Sequence, residues 1–465
     1  MTHDLIIIGA GPAGMAAALA AAKLGLKTAL LDEQPRPGGQ IYRNVTEAGP
    51  DGARILGSDY LHGRTLAGPL ADAGIDRHFA TTVWDIAADL TVSALASGRS
   101  FQLRASQLIV ATGAMERASP IPGWTLPGVL NAGAAQIALK SGGAIPSGKI
   151  VLAGGGPLLL LVACQLIEAG AEIAGIVETS PASNRRGAIR YLALALLAPK
   201  PLAKGLGMIR RLKRAGVPWF TAAQDLSVDG RDRATALRFT AAGRQHRLDS
   251  DVVLLHHGVV PNTQISRLLR VDHDWNEAQL AWQPRLDRFG ETSLRGFRIA
   301  GDGGGIAGAL AAEAGGEIAA LGAAHALGRI TAGQCDRLAA APLRALAGQR
   351  RIRPFLDALY RPPEWIAAPV GDTIVCRCEE VTAREIAGMA RLGCLGPNQT
   401  KFLSRCGMGP CQGRLCGLAV TGILARELGT TAETVGAYRV RAPLKPVPLA
   451  AIGQMHSAAP LETSK

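Results

Sequence analysis

The chain has 465 residues, too many for one hydrophobic core, so several domains are expected. Its formal net charge is +13, which is compatible with an anionic membrane surface as a partner. The basic residues lie in short groups without interleaved aromatic residues, and this argues against a nucleic-acid partner. Abundant glycine (57 residues) and a 48% hydrophobic content indicate an α/β protein with closely packed strands and helices.

The N-terminus predicts a strand–helix–strand unit. Residues 4–9 are a buried apolar strand, 13–24 an alanine-rich helix and 27–32 a second strand. A GxGxxG turn separates the first strand from the helix, whose N-terminal N–H groups would bind a pyrophosphate. An acid at the end of the second strand suits a ribose hydroxyl. The predicted dinucleotide site consists of Gly9, Gly11, Pro12, Ala13, Gly14, Asp32 and Glu33.

The apolar run from Leu5 to Ala22 has the length of a membrane span. The glycine turn inside it favours the strand–turn–helix interpretation instead. Asp4 precedes the run and no basic segment does, which is atypical of a signal peptide. We therefore expect a cytoplasmic protein, in which thiols stay reduced and available to metals.

A second unit of the same kind has glycines at 154–156, a helix over 158–169 and a strand over 173–178. Leu159 stands where the third glycine would be, while Glu178 keeps the acid position. Three outcomes remain: a working NAD site, an adenine nucleotide held for structural reasons, or an empty Rossmann shell. We favour the last two together over a site that exchanges hydride with NAD.

Short motifs along the chain follow the order found in flavoproteins with two dinucleotide-binding domains. The motifs are Gly38-Gly39-Gln40, Ala111-Thr112-Gly113 and Gly301-Asp302. From residue 4 to about residue 330 the chain resembles the glutathione-reductase and thioredoxin-reductase superfamily. That resemblance implies FAD at the N-terminal glycine turn. It also implies that Asp302 contacts the FAD phosphates and ribityl chain through hydrogen bonds. Thiol–disulfide reduction is not expected, because only the lone Cys164 and Cys335 precede the cysteine-rich segment.

Six of the eight cysteines lie between 376 and 416, after an Ala-, Arg- and Pro-rich connector. Their spacing, C-x-C, thirty-two residues and C-x4-C, is more typical of an iron–sulfur site than of the C-x2-C pairs of zinc ribbons. Tetrathiolate zinc stays the alternative. Beyond residue 436 the chain is proline-rich, and we expect it to be extended on a surface or a partner.

The sequences Cys376-Arg-Cys378-Glu-Glu-Val-Thr and Arg405-Cys406-Gly-Met-Gly-Pro-Cys411-Gln-Gly-Arg-Leu-Cys416 resemble the domain of bacterioferritin-associated ferredoxin. They resemble more closely the copy appended to flavoprotein dehydrogenase subunits. Within this resemblance the 2Fe–2S ligands are Cys376, Cys378, Cys411 and Cys416. Cys406 is the rival ligand because Cys406-x4-Cys411 repeats the spacing, and Cys394 is a structural bystander.

Asp32-Glu-Gln-Pro-Arg-Pro-Gly-Gly-Gln-Ile-Tyr42, His256-His-Gly-Val-Val-Pro-Asn262 and the cysteine module together resemble one family over nearly the whole chain. This family comprises the A or alpha subunits of the opine oxidases, D-hydroxyproline dehydrogenase and the middle subunit of hydrogen cyanide synthase. The resemblance implies a partner, a D-amino-acid-oxidase-like FAD catalytic subunit, in a heterodimer or heterotetramer. It further implies FMN at the subunit interface, as in related enzymes. We also expect peripheral membrane contact for electron delivery to a quinone.

The predicted fold class is α/β, with two Rossmann-like dinucleotide-binding domains and a small, mostly helical 2Fe–2S domain. The expected segments are 1–120 and 263–330 (FAD-binding domain), 121–262 (second Rossmann-like domain), 331–370 (connector), 371–430 (2Fe–2S domain) and 431–465 (Pro-rich tail).

The predicted function is an FAD and 2Fe–2S electron-transfer subunit of an amine or imino-acid dehydrogenase, acting on CH–NH bonds and passing electrons to a quinone or dye. The alternatives are an NAD(P)H-dependent flavin reductase that delivers electrons through the cluster, and a binding module with an inert flavin fold. No catalytic base is predicted, since His256 and His257 are interpreted as core histidines.

Overall fold

The computed structural model describes residues 2–453, and the first part of the chain forms most of one sheet. Its elements are β1 (Thr2–Ile8), α1 (Pro12–Lys23), β2 (Thr28–Leu31), α2 (Pro50–Leu56), α3 (Ser58–Leu61), α4 (Arg64–Ala67), β3 (Asp76–His78), β4 (Thr82–Ile86), β5 (Val92–Ala96), β6 (Arg99–Val110) and β7 (Ala114–Glu116). The strand order is β3-β2-β1-β6-β5-β4, parallel from β3 to β6 and antiparallel beyond. Leu5–Ile7 are completely buried, as expected of a strand that is covered on both faces.

The second part of the chain forms another sheet of parallel strands. Its elements are β8 (Val129–Asn131), α5 (Ala132–Gly142), β9 (Ile150–Gly155), α6 (Pro157–Glu168), β10 (Ile173–Glu178), α7 (Ala182–Ile189), α8 (Leu192–Leu196), α9 (Pro199–Arg214), β11 (Trp219–Phe220), β12 (Gln224–Gly230), β13 (Ala234–Ala241), β14 (Arg244–Asp249), β15 (Val252–His257) and β16 (Val259–Pro261). The parallel sheet has the order β11-β10-β9-β15-β8, and β12-β13-β14 form a separate antiparallel sheet. β16 pairs with β7 and so links the two sheets.

The chain then returns to the first sheet. Its elements are α10 (Gln264–Leu268), β17 (His273–Asn276), β18 (Ala281–Pro284), β19 (Phe297–Ile299) and α11 (Ala309–Ala326). β19 lies parallel to β6. Helix α11 packs on α1 so closely that a Cβ at Gly316 would stand 2.0 Å from the carbonyl oxygen of Ala13. The absence of a side chain at position 316 therefore permits this helix pair.

The remaining chain is mainly helical. Its elements are α12 (Ala332–Arg350), α13 (Arg353–Leu359), α14 (Glu364–Ala367), β20 (Ile374–Cys376), β21 (Val381–Thr382), α15 (Ala383–Arg391), α16 (Pro397–Ser404), α17 (Gly417–Leu428), α18 (Ala432–Val435) and α19 (Leu449–Gly453). Capping boxes begin α12, at Thr331, and α15, at Thr382. The predicted connector is thus largely helical. Residues 454–465 of the predicted tail lie outside the described residues.

The predicted fold class is confirmed for its two Rossmann-like domains and its helical C-terminal part. Within residues 2–453, no helix combines the length and the apolar character needed to cross a bilayer.

Candidate functional site

The first glycine turn, between β1 and α1, depends on two glycines. Gly9 has a φ of +104°, and a Cβ there would stand 2.5 Å from the carbonyl oxygen of Ala111. A Cβ at Gly14 would stand 1.7 Å from the Gly9 carbonyl oxygen, so the helix approaches the strand only because position 14 is glycine. Helix α1 has no side-chain cap and no acid in its first turn. Its N-terminal N–H groups are therefore available to a pyrophosphate.

Asp32 fixes the backbone of this turn from the end of β2. Its Oδ2 accepts a hydrogen bond from the backbone N–H of Ala10 at 2.6 Å, and its Oδ1 accepts one from Gln34 at 2.7 Å. Burial raises the pKa of the carboxyl group, and the two N–H donors oppose that rise. The predicted ribose ligand thus has a structural task as well.

The segment after β2 folds against the turn through Gly39, where a Cβ would stand 2.8 Å from the Cα of Gly11. The next carbonyl, of Gln40, accepts a hydrogen bond from Lys140 Nζ at 3.1 Å. Lys140 also donates to Gln136 Oε1 at 2.9 Å, and no carboxylate pairs with it within residues 2–453. Burial lowers its pKa to about 7.

The loops after β6 and β19 lie together because these strands pair in parallel. The pairing brings Gly113 next to the loop that contains Gly301 and Asp302, where a Cβ at Gly303 would stand 3.4 Å from the Gly113 carbonyl oxygen. Asp302 Oδ1 accepts hydrogen bonds from the N–H groups of Ala307 at 2.8 Å and Gly308 at 3.0 Å, which fixes the loop before α11. The residues predicted to bind the first dinucleotide therefore gather at the carboxyl edge of one sheet.

The C-terminal tail crosses the end of β2, a contact that sequence reasoning missed. Lys445 forms an ion pair with Glu33, and Leu444 donates its N–H to the Trp84 carbonyl at 2.7 Å. Burial lowers the pKa of Lys445, and the charge of Asp32 opposes this effect. The tail thus places a positive charge beside both acids of the predicted site.

The second glycine turn, residues 154–156, is covered by side chains of the same chain. A Cβ at Gly155 would stand 3.6 Å from Cδ1 of Tyr360, which follows α13. A Cβ at Gly156 would stand 3.7 Å from Nε2 of His256. Leu159, at the position of the missing third glycine, is buried in the core. The space beside this turn is therefore partly filled.

Asn184 holds Tyr360 in this place. Its side-chain amide donates to the carbonyl oxygens of the two flanking residues, Leu359 at 3.3 Å and Arg361 at 2.9 Å. Burial, and then the nearby charge of Glu178, raise the pKa of Tyr360 to about 12. Tyr360 therefore lies close to the glycine turn and within the electrostatic influence of Glu178, the acid that would bind a ribose. Neither sequence spacing nor composition pointed to this residue.

The two histidines at the end of β15 are buried, as predicted. His256 Nδ1 lies 2.6 Å from Glu116 Oε1. His257 Nδ1 lies 2.7 Å from Ser119 Oγ, and burial lowers the pKa of His257 to about 3.

Five cysteines gather around one loop of the C-terminal domain. The sulfur atoms of Cys376, Cys406 and Cys416 are buried and lie within 4.8 Å of one another. Hydrogen bonds with Cys406 and then Cys416 lower the pKa of Cys376, and hydrogen bonds with Cys376 and then Cys406 raise the pKa of Cys416. Cys378 and Cys411 are less buried, and their thiols interact with each other. The arrangement is a buried trio beside a half-exposed pair.

The four predicted ligands are thus distributed as two pairs. Cys376 and Cys416 belong to the buried trio, whose sulfur atoms lie within 4.8 Å of one another, and the thiols of Cys378 and Cys411 interact outside it. Cys406 contacts both members of the first pair, so it remains a rival to them. Two pairs of thiolates suit a 2Fe–2S cluster, in which each iron takes two, and the residues present therefore fit this group.

The glycines of the cysteine loop allow its close approach to Cys378. A Cβ at Gly409 would stand 2.2 Å from the Cβ of Cys378. The N–H of Gly407 points at the Cys376 sulfur at 3.5 Å, and Cys416 is the N-cap residue of α17. Backbone N–H groups so placed stabilise negative charge on sulfur.

Tyr438 lies across the same loop. A Cβ at Gly407 would stand 2.7 Å from Cζ of Tyr438, and one at Gly413 would stand 2.7 Å from its Cδ2. Burial, followed by the charge of Cys416, raises the pKa of the Tyr438 hydroxyl well above its ordinary value. The sequence carried no signal for this contact, which joins the cysteine loop to the tail.

A small cleft of about 60 Å³ lies between the cysteine loop and the strand pair β7–β16. Gln412 and Gly413 line it from one side, and Met115 and Val260 from the other. Since β7 starts directly after Gly113, the cysteine loop borders the strand that leaves the predicted FAD site.

Comparisons with known proteins agree with this architecture. Residues 3–316 match the family described as pyridine nucleotide-disulphide oxidoreductase, and residues 371–456 match the sarcosine oxidase A3 domain. The structure is similar to L-proline dehydrogenase from P. horikoshii, with a TM-score of 0.69 and 18% identity over 97% of this chain and 79% of that chain. At this identity the likeness shows the fold alone.

Several relatives are similar over most of their length. The opine oxidase A subunit of Rhizobium meliloti is 43% identical, over 99% of this chain and 89% of the relative. The hydrogen cyanide synthase HcnB subunit of Pseudomonas aeruginosa is 33% identical, over 98% of this chain and 99% of the relative. The chain is an oxidoreductase whose matched family implies FAD, and it belongs to the family of the opine oxidase A subunits.

Proposed function

We propose that this chain is the electron-transfer subunit of a heteromeric dehydrogenase that oxidises the CH–NH bond of an opine or a related imino acid. The observation that carries the proposal is the position of the cysteine loop. It borders the β7–β16 strand pair, which starts at the end of the first dinucleotide site. Two redox groups held at these places would lie in one continuous scaffold.

FAD would be held by the first glycine turn and by the loops after β2, β6 and β19. When bound, it accepts two electrons together and releases them singly, and a 2Fe–2S cluster carries one electron at a time. The uncapped N-terminus of α1 faces the pyrophosphate position, and Asp32 and Asp302 keep the surrounding backbone in place. The cysteine pairs Cys376–Cys416 and Cys378–Cys411 would hold the cluster.

The partly filled second turn disfavours the alternative of an NAD(P)H-dependent reductase. A nucleotide there would have to displace Tyr360, whose neighbours are held by Asn184. It would also approach a helix whose third glycine position is the buried Leu159. Electrons therefore enter from another source, and we propose that this source is a D-amino-acid-oxidase-like subunit.

A cavity of about 1310 Å³ beside Asp302 is a place for the FMN that the family resemblance implies. Arg190, Arg350 and Arg351 contribute to its lining, and none of them forms an ion pair within residues 2–453. Unpaired guanidinium groups suit a phosphate. We propose that the catalytic subunit covers this cavity.

The test is to purify the chain alone and with its co-purifying subunit. We expect FAD, iron and acid-labile sulfide in the isolated chain, and dye reduction by octopine, nopaline or hydroxyproline only in the complex. NADH and NADPH should not reduce the flavin of either preparation. Amine oxidation by the isolated chain, or fast flavin reduction by NADH, would contradict the proposal.

A further inference from the structure

One segment concentrates positive charge. The segment that contains helices α7, α8 and α9 has nine Lys and Arg residues between positions 182 and 214, and residues 179–224 contain no Asp or Glu. The net charge of the whole chain is +13, so this segment has a much higher charge density than the rest. A run of this kind gives a strongly positive local potential.

The same segment exposes large apolar side chains. Five of them, between 41% and 66% exposed, lie within nine residues: Ile189, Leu192, Leu194, Leu196 and Leu197. Leu206 in α9 is also exposed. Soluble surfaces rarely present so many neighbouring apolar side chains unless they bind something.

Some of these basic residues form ion pairs with acidic residues of the same chain. Arg185 lies near Glu178, Lys204 pairs with Asp59, and Arg211 pairs with Glu168. Arg190 lines the cavity proposed for FMN. The remaining basic residues of the segment have no ion pair within the described chain: Arg186, Lys200, Arg210, Lys213 and Arg214.

Helix α9 combines both properties on one face. Met208 and Leu212 pack toward the core of the second domain. Leu206, Arg210 and Lys213 are spaced by four and three residues, so they share an outward face, and all three are exposed. Protein interfaces are depleted in lysine and enriched in aromatic residues, whereas exposed leucines among basic residues are typical of helices that bind membrane surfaces.

We propose that the α7–α9 segment docks this protein on the surface of an anionic phospholipid bilayer. The leucines around α8 would enter the headgroup region, and the unpaired basic side chains would face the lipid phosphates. Docking there would bring the complex to lipid-dissolved quinone, and this consequence rests on the proposed function. The docking itself does not depend on electron transfer.

The test is binding of the purified complex to vesicles, without substrate or acceptor, so that its failure leaves the proposed redox role untouched. We expect binding to phosphatidylglycerol vesicles, little binding to phosphatidylcholine vesicles, and weakening by salt. Leu196→Asp with Leu197→Asp should abolish binding. Because a basic residue contributes about 1 kcal/mol at such a surface, Arg210→Gln and Lys213→Gln should weaken it roughly fivefold each.

The matched control is Phe402→Asp, at a side chain that is 86% exposed in the C-terminal domain. It should leave vesicle binding unchanged. Absence of wild-type binding to anionic vesicles, or full binding by both the leucine and the charge variants, would overturn the proposal. So would loss of the partner subunit from the leucine variant when the wild-type complex binds no vesicles, because the surface would then be a subunit interface.

Discussion

Replacing single cysteines by serine distinguishes the two candidate sets of cluster ligands. A 2Fe–2S cluster takes four thiolates, and the structure offers the pairs Cys376–Cys416 and Cys378–Cys411, with Cys406 beside the first pair. We expect Cys406→Ser to keep about two irons per chain, and serine at any of the other four positions to lose most of the iron.

The expected loss of stability in Cys406→Ser follows from the burial of the Cys406 side chain. Its thiol is completely buried and shares hydrogen bonds with Cys376 and Cys416. A serine hydroxyl keeps a donor but buries a more polar group, so the variant should lose about 1–3 kcal/mol of unfolding free energy. Serine at a ligand position removes the cluster itself, which is a larger loss because metal binding contributes directly to folding.

The assay is iron and acid-labile sulfide per chain, with visible absorbance, in protein purified without oxygen. Cys394→Ser is the matched control, because Cys394 is buried but lies outside both cysteine groups. An iron-free Cys406→Ser variant would refute the two-pair assignment, as would full iron content in Cys378→Ser or Cys411→Ser. Zinc without labile sulfide in the wild-type protein would refute the cluster.

Three further predictions concern the dinucleotide sites and a buried charge. Gly14→Ala would place a Cβ 1.7 Å from the Gly9 carbonyl, so we expect at least about tenfold less bound FAD by absorbance; the control Gly187→Ala, with open space around it, should keep FAD. Tyr360→Ala should bind NADH about tenfold more tightly than the wild type in a fluorescence titration. Equal, weak binding by both proteins would contradict the proposal that Tyr360 obstructs the second glycine turn. Burial lowers the pKa of Lys140 to about 7 in the folded protein, so between pH 7 and about 10.5 the unfolded state binds more protons than the folded state. The free energy of unfolding should therefore rise over this range by up to about 1.4 kcal/mol per pH unit. In Lys140→Met this rise, measured by urea unfolding, should be absent.

The first dinucleotide site was predictable because its signals are local. Strand, glycine turn, helix and acid follow one another within about thirty residues, and each has its own steric or electrostatic requirement. The return of β19 to the first sheet was expected from the resemblance to flavoproteins with two dinucleotide-binding domains, which rests in part on the late motif Gly301-Asp302. The domain limits and the roles of the predicted site residues stay predictions.

The rest depends on contacts between distant positions. Tyr360 covers the second turn from two hundred residues away, and Lys445 reaches Glu33 from the tail. The cysteine spacing predicted thiolate ligands. It did not predict which thiols lie close together, because that depends on the conformation of the loop around Gly409. Periodicity and spacing report only on neighbours along the chain, so such contacts leave no pattern.

The second Rossmann-like domain has a use that does not require a nucleotide. Trp124 of this domain donates to the carbonyl of Ile374 at 2.6 Å, and the guanidinium of Arg377 lies over the same ring at 5.9 Å. Trp365 packs edge-on against His257, with ring centroids 5.7 Å apart. These contacts attach the connector and the cysteine domain to the Rossmann-like domain that contains the second glycine turn, residues 154–156. These contacts therefore give the second Rossmann-like domain a role in holding the cysteine loop beside β7–β16, and this role does not require a bound nucleotide.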